Sequence, residues 1–347
     1  MALQLTSLPT VEQYDVNRAI IQPIFMGQDY MQYMEVLPNI KGTTVIDKFN
    51  QLGKITKAFT NDAFSAESTG DKGATITITP SRVEAEIEFR ANELFNKMKG
   101  QLMRGGHEFD NVDGSVVKNI LLDLIGQGVQ SDFNRQLWLS TLDSSTPDAN
   151  FGIYDGIFEA MRNAGATQIA RTYSGLSTQA DNVALVVGNG VKILQGLYDT
   201  ASPELLGAGN HVFFVSGDIA DDYLVTLEGT GYAAGGYGTL VNGMPQLMYR
   251  GIPVVVRRDW DIAIAASADN ATAINGCTSV NETHRAVLTT KDAFVVATDF
   301  ASNSVEQWYS NDNKEYRFRV AYSVGCALKD AKLAVFYTPN TMETSGY

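Results

Sequence analysis

Long hydrophobic runs are missing from this sequence of 347 residues. The longest, such as Ile262 to Ala266, fall far short of the ~20 apolar residues that a membrane-spanning helix needs. No basic residue precedes the first apolar stretch at the N-terminus, so we expect neither a secretory signal nor a removed pro-segment. These absences predict a protein that makes no membrane contact.

Cysteine and histidine are also scarce. Cys277 and Cys326 are the only cysteines, and we expect both to be free thiols of a reducing compartment. The three histidines, His107, His211 and His284, stand apart in the sequence, and none has the i, i+4 partner of a zinc-binding helix. The sequence therefore predicts no metal site.

Positive charge is in deficit, because 26 Lys and Arg face 39 Asp and Glu, for a net charge of −13. This balance excludes a broad basic face that grips nucleic acid, although it leaves open a local basic spot at Arg257 and Arg258. The hydrophobic fraction of 44% is that of a folded globular protein. Since single cores stop growing at roughly 250–300 residues, we expect two subdomains with extensions.

Two glycine motifs imitate nucleotide-binding loops. Gly188-Asn-Gly190 follows an apolar stretch and precedes a helical one, but Ile193 stands where the third glycine of a dinucleotide fingerprint belongs. The glycine-rich segment 229–243 has no Lys-Ser or Lys-Thr pair, which excludes a phosphate-binding P-loop. We therefore predict a strand-turn-helix without ligand at the first motif and a mobile loop at the second.

The remaining candidates for chemistry have simpler structural explanations. Cys277 and His284 suggest a nucleophile and base, but an isolated loop cysteine is usually inert. Asn311-Asp312-Asn313 suggests a calcium ligand set, and a hairpin turn explains it better. A period-two acidic run on a strand predicts a solvated or inter-subunit polar face: Glu84, Glu86 and Glu88. We expect no enzyme, no cofactor, and no catalytic, cofactor-binding or metal-binding residues.

The order of predicted elements begins with an irregular, apolar segment that ends near residue 40. Residues 43–59 and 74–90 then alternate as two strands, which predicts a long ribbon around a loop tip at 59–73. Residues 112–142 carry apolar side chains about every four residues, which predicts a long helix. The second half predicts helices at 151–165, 190–198 and 218–227, strands at 211–216, 246–249 and 252–257, and a polar connection from there to 284.

The last third carries the most specific pattern. Pro245–Arg257 is followed by Arg285–Ala297, and then by two strands, 305–309 and 316–322, around a polar turn. In this order the segments resemble the C-terminal half of tailed-phage major capsid proteins of the HK97 fold. The resemblance is locally most specific in Gly251-Ile-Pro-Val-Val and in Leu288-Thr-Thr-Lys-Asp-Ala-Phe, and as an order of elements it covers nearly the whole chain.

This resemblance implies an α+β fold of the HK97-like kind. The implied parts are an N-terminal arm at 1–42, an extended ribbon or E-loop at 43–92, a P-domain with the spine helix at 93–180, an α/β A-domain at 181–284, and returning P-domain strands with the C-terminus at 285–347. The 229–243 loop would lie near the symmetry axis of pentamers and hexamers, and the ribbon would reach over an adjacent subunit.

The function implied by the resemblance is that of a major capsid protein. Its copies would assemble into an icosahedral shell that encloses double-stranded DNA without sequence-specific binding. Scaffold, portal and decoration proteins are the implied partners, the virion capsid is the implied location, and assembly would occur in the host cytoplasm. We predict no cross-link, because the ribbon lysines and hairpin asparagines stand in no distinctive positions: Lys48, Lys54, Lys57, Lys72, Asn311 and Asn313.

Two alternatives remain open. One is an encapsulin-like compartment that houses cargo enzymes and shares the same fold. The other is a monomeric α/β hydrolase or binding protein, which would need a convergent polar site that the sequence does not show.

Overall fold

The computed structural model describes residues 33–48, 56, 74–90, 116–140, 142, 152–161, 171–173, 184–229, 237–241, 244–266, 284–299 and 304–337. The strands are β1 (Glu35–Leu37), β2 (Thr44–Lys48), β3 (Ala74–Ile78), β4 (Ser81–Arg90), β5 (Arg171–Tyr173), β6 (His211–Val215), β7 (Tyr237–Val241), β8 (Met244–Tyr249), β9 (Ile252–Val256), β10 (Ala286–Thr290), β11 (Phe294–Thr298), β12 (Ser304–Ser310), β13 (Glu315–Leu328) and β14 (Ala334–Tyr337). The helices are α1 (Val116–Leu139), α2 (Asn189–Thr200), α3 (Pro203–Gly207), α4 (Gly217–Gly229) and α5 (Arg258–Ala266), with a helical turn at 157–161.

A seven-stranded mixed sheet with the order β5-β14-β10-β6-β9-β8-β7 forms one lobe. Its central strand β6 sends Val212 and Phe214 to one core and Phe213 and Val215 to another, as the period-two geometry of a strand requires. The second core is closed by α2, α3 and α4. The sheet is thus buried on both faces, which explains why β6 and β14 are apolar at nearly every position and why β10 is buried throughout.

The second sheet is five-stranded and is built around the long strand β13. β13 pairs antiparallel with β4 along one side and with β12 and then β11 in two successive stretches. Helix α1 covers the inner face of this sheet, and its side chains also reach the first core of the seven-stranded sheet. The helix predicted at 112–142 is therefore confirmed over Val116–Leu139, where it runs without interruption through Gly126 and Gly128.

The predicted ribbon is confirmed only in part. β2 and β3 pair antiparallel, with Ile46 opposite Ile76, and the predicted second strand is interrupted at Pro80, a position whose proline by itself indicates a break or an edge. Beyond the break, β4 pairs with β13 instead of continuing the ribbon. Proline lacks the backbone N–H that a continuous strand would use, so it ends one pairing and lets the chain start another.

The base of the β2–β3 ribbon packs on the five-stranded sheet of its own chain. Ile78 packs with Val295 and Ala297 on the face of β11 that points away from α1, and partly buried Ile46 and Ile76 join them. Further along β2, Val45 is 57% exposed. The ribbon is therefore anchored at its root on its own sheet, while β2 leaves an apolar side chain in solvent.

Two predictions in the second half are wrong. Part of the glycine-rich segment 229–243 is strand β7, which pairs antiparallel with β8, so the segment is not a loop throughout. The connection predicted after residue 257 begins with helix α5, whose Trp260 and Ala263 are buried. Short amphipathic elements of this kind depend on packing against a neighbour more than on propensity, which is why local patterns missed them.

The β12–β13 and β8–β9 hairpins agree with the strands that the sequence predicts. Tyr309 pairs with Tyr316 across the turn that contains residues 311–313. Between β8 and β9 a two-residue turn has positive φ at Arg250 (50°) and Gly251 (81°), the conformation that fits the twist of a hairpin. Among the residues described above, no helix is long and apolar enough to cross a membrane.

Candidate functional site

The N-terminus of α2 is capped by a carboxylate from another helix. Gly188 adopts the left-handed conformation (φ 84°), and Asp222 of α4 accepts hydrogen bonds from the backbone N–H of Gly188 at 2.9 Å and of Gly190 at 2.7 Å. The positive end of a helix favours an anion, and here the protein supplies its own. The turn and the helix of the predicted strand-turn-helix are present, but residues 184–186 before them are not a strand, and the N–H groups of the motif bind an internal carboxylate.

The N-terminus of α4 repeats this arrangement. Asp261 of α5 accepts a hydrogen bond from the backbone N–H of Gly217 at 2.8 Å. A Cβ atom at Gly217 would lie 2.6 Å from Asp261 Oδ2, so only glycine permits this approach. Burial raises the pKa of Asp261 to about 6; the Gly217 N–H lowers it, and the Asp218 carboxylate raises it.

A polar pair of a buried histidine and a half-buried carboxylate lies beside this cap. His284, which precedes β10 and is 3% exposed, contacts Asp218 Oδ2 through its Nδ1, and the Ser216 hydroxyl donates to Asp218 Oδ1. Burial acts to raise the pKa of Asp218, but the hydrogen bonds from His284 and Ser216 outweigh it and hold the pKa below its usual value of 3.8. The pair joins the start of α4 to the edge of β10.

This group has the residue types of a hydrolase triad, Ser216, Asp218 and His284, but not the geometry of one. In a triad the histidine accepts the serine proton and the carboxylate orients the histidine. Here both the serine hydroxyl and the histidine point to the same carboxylate, and the Ser216 oxygen also receives the backbone N–H of Arg285 at 3.4 Å. This arrangement stabilises a turn and leaves no activated nucleophile in it.

The basic spot left open at Arg257 and Arg258 is neutralised. Arg257 is buried and forms a two-point contact with Asp259, with its Nε 2.9 Å from Oδ1. Arg258 reaches Asp221 of α4 at 2.8 Å, and that carboxylate raises the pKa of the guanidinium. Both cations are therefore committed to internal partners and add no free basic patch to the lobe.

Next to this cluster, aromatic rings join helix α1 to helix α5 and to the seven-stranded sheet. Trp138 near the end of α1 lies with its ring centroid 4.8 Å from Trp260 of α5 and 5.1 Å from Phe214 of β6. Phe158 closes the group at 5.1 Å from Trp260, and the Arg285 guanidinium lies 4.8 Å above the Phe158 ring. Trp138 and Trp260 are fully buried, so this junction fixes α1 against the seven-stranded sheet.

The acidic run on β4 lies where its period predicted, on the solvent side of the five-stranded sheet. Arg319 of β13 reaches Glu84 at 2.6 Å, Glu86 at 3.7 Å and, from the opposite strand, Glu306 at 3.9 Å. The hydrogen bond from Arg319 holds the pKa of Glu84 below its usual value. Trp308 of β12 stands on the same side and is 42% exposed. This face is a polar ladder with one exposed ring.

Of the cysteine candidates from sequence, the structure describes Cys326. Cys326 donates to the backbone carbonyl of Asp155 at 3.3 Å, and burial raises the pKa of its thiol to about 12. Cys277 and His107 lie outside the described residues. Within the described ranges, no group of three or more His, Cys, Asp and Glu side chains is placed to hold a metal ion. Sequence reasoning missed the capping carboxylates, because each belongs to a helix distant in the chain from the terminus that it caps.

Comparison with family models found no match for this chain, and comparison with curated proteins found none either. Solved structures do match its fold. A chain of the satellite phage P4 procapsid that includes the size determination (Sid) protein is 10% identical, with 94% of this chain and 99% of that chain covered and a TM-score of 0.56.

Two further structures match over similar lengths. A chain from the capsid of an empty GTA particle is 11% identical, with 90% of this chain and 89% of that chain covered and a TM-score of 0.51. A chain of Gordonia phage Cozz is 11% identical, with 90% and 86% covered and a TM-score of 0.50. At such low identity these similarities establish the fold alone. They confirm the resemblance at that level: this mixed helix and sheet chain has the fold of phage capsid proteins.

Proposed function

We propose that this chain is a shell-forming major capsid protein whose copies assemble into pentamers and hexamers of an icosahedral shell around double-stranded DNA. One observation carries the proposal. The likeness to the P4 procapsid chain extends over 94% of this chain and 99% of that one, so it concerns the complete order of elements rather than a shared motif. The fold is known here from the structure, and the assembly is the inference.

The division of the chain into subdomains belongs to the same proposal. Residues 1–42 would be the arm, 43–92 the ribbon, 93–180 the spine-helix domain, 181–284 the α/β lobe and 285–347 the returning strands. Strands β5, β10 and β14 belong to the flanking segments in this division, yet they complete the sheet of the α/β lobe. Such interleaving of distant segments would hold the two lobes of one subunit together in a shell.

The charge distribution supports a shell that encloses DNA without gripping it. The chain carries a net charge of −13, and Arg257, Arg258 and Arg319 are all paired with carboxylates of the same chain. Counterion release from phosphates needs available Lys and Arg side chains. The interior contact would therefore be weak and independent of sequence.

Scaffold, portal and decoration proteins are the partners this function calls for, and the virion capsid is its location. Assembly in the host cytoplasm fits the two-cysteine composition. An encapsulin-like compartment would also self-assemble, but it would contain cargo enzymes instead of DNA. Analysis of what co-purifies with the shells distinguishes the two.

The test is to express the full chain and to examine it by sedimentation velocity and negative-stain electron microscopy. We expect closed shells, or rings of five and six subunits. Val45→Asp places a charge on the exposed side of β2, and should reduce assembly while the far-ultraviolet circular dichroism stays that of the wild type. Val45→Ile is the matched control and should assemble normally.

A folded monomer that stays monomeric at high concentration, also with candidate scaffold proteins added, would contradict the proposal. Shells that contain a co-purifying enzyme in place of nucleic acid would replace it by the compartment function. Normal assembly of Val45→Asp would exclude β2 as a contact but leave the shell itself standing.

A further inference from the structure

The first turn of α2 contains an asparagine followed by a glycine, a pair in which the next backbone nitrogen can attack the side-chain amide. Asparagine is a thermolabile residue, and glycine has no Cβ atom to hinder the attack. Asn-Gly occurs at positions 189–190, 242–243 and 275–276 of the sequence, and the structure describes the first of these pairs. Asn189 and Gly190 therefore place an amide and an unhindered nucleophile side by side.

The reaction of this pair needs water and no oxidant. The Gly190 nitrogen attacks Cγ of Asn189, so that an N–Cγ bond forms, the Cγ–Nδ2 bond breaks, and ammonia leaves with the proton of the Gly190 N–H. Water then opens the five-membered succinimide ring. Cleavage at Cγ gives aspartate, whereas cleavage at the main-chain carbonyl carbon gives isoaspartate, in which the backbone is longer by a CH2 group.

In the folded chain the attacking nitrogen is occupied. Gly190 is the second residue of α2, and N–H groups in the first turn of a helix have no acceptor within that helix. Asp222 of α4 supplies the acceptor, because its Oδ2 receives the Gly190 N–H at 2.7 Å. A carboxylate at this distance opposes loss of the proton from the nitrogen, since a second negative charge would form beside the first.

The amide under attack is fixed as well. Asn189 is fully buried, and its Oδ1 accepts a hydrogen bond from Lys192 Nζ at 3.2 Å. Helix α4 packs closely on the next residue, because a Cβ atom at Gly190 would lie 2.8 Å from the Ile219 carbonyl oxygen. The Gly190 backbone therefore has little room to rotate toward Asn189 while α4 stays in place.

We propose that Asn189 is a site of spontaneous, irreversible modification that is controlled by the Asp222 cap. The residue stays intact while α4 caps α2, and it becomes aspartate or isoaspartate in a subunit whose cap has opened. Isoaspartate displaces the Gly190 N–H from Asp222, so the original cap does not re-form and the subunit keeps a permanent chemical mark. The inference concerns one subunit and stands whether or not the chain builds a shell.

The experiment follows position 189 by peptide mapping with mass spectrometry, on the full chain incubated at pH 8 either native or in urea. The denatured chain gives the unprotected rate, and Asn242 and Asn275 in the same digest confirm that Asn-Gly pairs react under these conditions. For the native wild type we expect a rate at Asn189 at least ~10-fold below the rate in urea. A native rate equal to the denatured one would overturn the proposal without any variant.

Asp222→Ala tests the cap itself. The population in which the start of α2 is open should increase, and the native rate at Asn189 should rise with it by roughly 5- to 30-fold, the range that corresponds to loss of a helix cap. Glu228→Ala, which removes an exposed acid from the same helix, is the matched control and should react like the wild type. Circular dichroism checks that each variant is folded.

Val324→Ala separates loss of the cap from global unfolding. Val324 is fully buried in β13 of the other sheet, so its truncation lowers stability without touching Asp222, and the native rate at Asn189 should stay that of the wild type. Equal acceleration by Val324→Ala and Asp222→Ala would overturn the proposal, because Asn189 would then react through unfolding of the whole chain. An Asp222→Ala chain that reacts as slowly as the wild type would overturn it too.

Discussion

Asp222 of α4 binds Gly190 of α2 through a hydrogen bond of 2.7 Å from the backbone N–H of Gly190 to Oδ2. The contact links two helices that are separated in the chain by α3 and β6. Together with the Asp261–Gly217 contact it forms a series in which α5 caps α4 and α4 caps α2. Three helices of the α/β lobe are thereby tied together at their N-termini.

Removing the first carboxylate tests this series. Asp222→Ala should lower the free energy of unfolding by ~1–2 kcal/mol, because two backbone N–H groups lose their cap. Urea denaturation followed by circular dichroism measures the loss. Glu228→Ala, an exposed acid on the same helix, is the control and should change stability by less than ~0.5 kcal/mol. Equal losses from both variants would contradict the capping role.

Two glycines should respond to alanine with opposite signs. A Cβ atom at Gly190 would lie 2.8 Å from the Ile219 carbonyl oxygen, so Gly190→Ala should destabilise the fold by ~1–3 kcal/mol. A Cβ at Gly128 meets nothing within 4 Å, so Gly128→Ala within α1 should stabilise it by ~0.5–1 kcal/mol. Thermal denaturation of both variants checks the prediction, and a common sign would show that the close approach is not decisive.

The pair of half-buried Asp218 and buried His284 should contribute more to stability than an exposed pair on the same helix. Asp218→Asn should cost ~1–3 kcal/mol at pH 7, since His284 would stay buried with a weaker partner. The exposed pair of Asp221 and Arg258 should contribute at most ~1 kcal/mol, which Asp221→Asn measures.

The pH dependence of the Asp218 effect has a definite direction. Because the pKa of Asp218 lies below 3.8 in the folded state, its contribution is present above pH ~3.8 and is lost as the pH falls through the folded pKa. The difference between wild type and Asp218→Asn should therefore shrink in strong acid. Denaturation midpoints measured at pH 7 and at pH 3 test this, and a difference that grows in acid would contradict the pairing.

The thiol of Cys326 should be unreactive in the folded chain. Its pKa is raised to about 12, so very little thiolate exists at pH 8, although part of the residue is accessible to solvent. We expect iodoacetamide to alkylate it at least ~10-fold more slowly than a free cysteine. Peptide mapping with and without urea measures this rate at position 326 separately from position 277. Rapid native alkylation of Cys326 would exclude the buried environment.

Several elements were predictable because their causes are local. The β12–β13 hairpin follows from alternation around a polar turn, and the β8–β9 hairpin from Arg250-Gly251 between two apolar runs. Helix α1 follows from its apolar spacing. Each signal lies within one short window of sequence, so the chain needs no distant partner to reveal it.

Other elements depend on which segment meets which. The partner of β4 could not be read from its own alternation, because pairing with β2 or with β13 would satisfy the same period. Helix α5 was not predictable from its own sequence, because its stability comes from burying Trp260 against Trp138, a residue of another helix. The pairing of His284 with Asp218 joins residues that are 66 positions apart.

The sequence by itself determined the long helix α1, the two hairpins, the acidic net charge and the resemblance to capsid proteins, since these rest on spacing, composition and the order of segments. The tertiary structure alone decided where the carboxylates lie. Capping of α2 by Asp222, capping of α4 by Asp261 and neutralisation of Arg258 by Asp221 all join side chains to groups on other elements. Such contacts are set by how helices pack on a sheet, a relation between distant segments that no local window of residues contains.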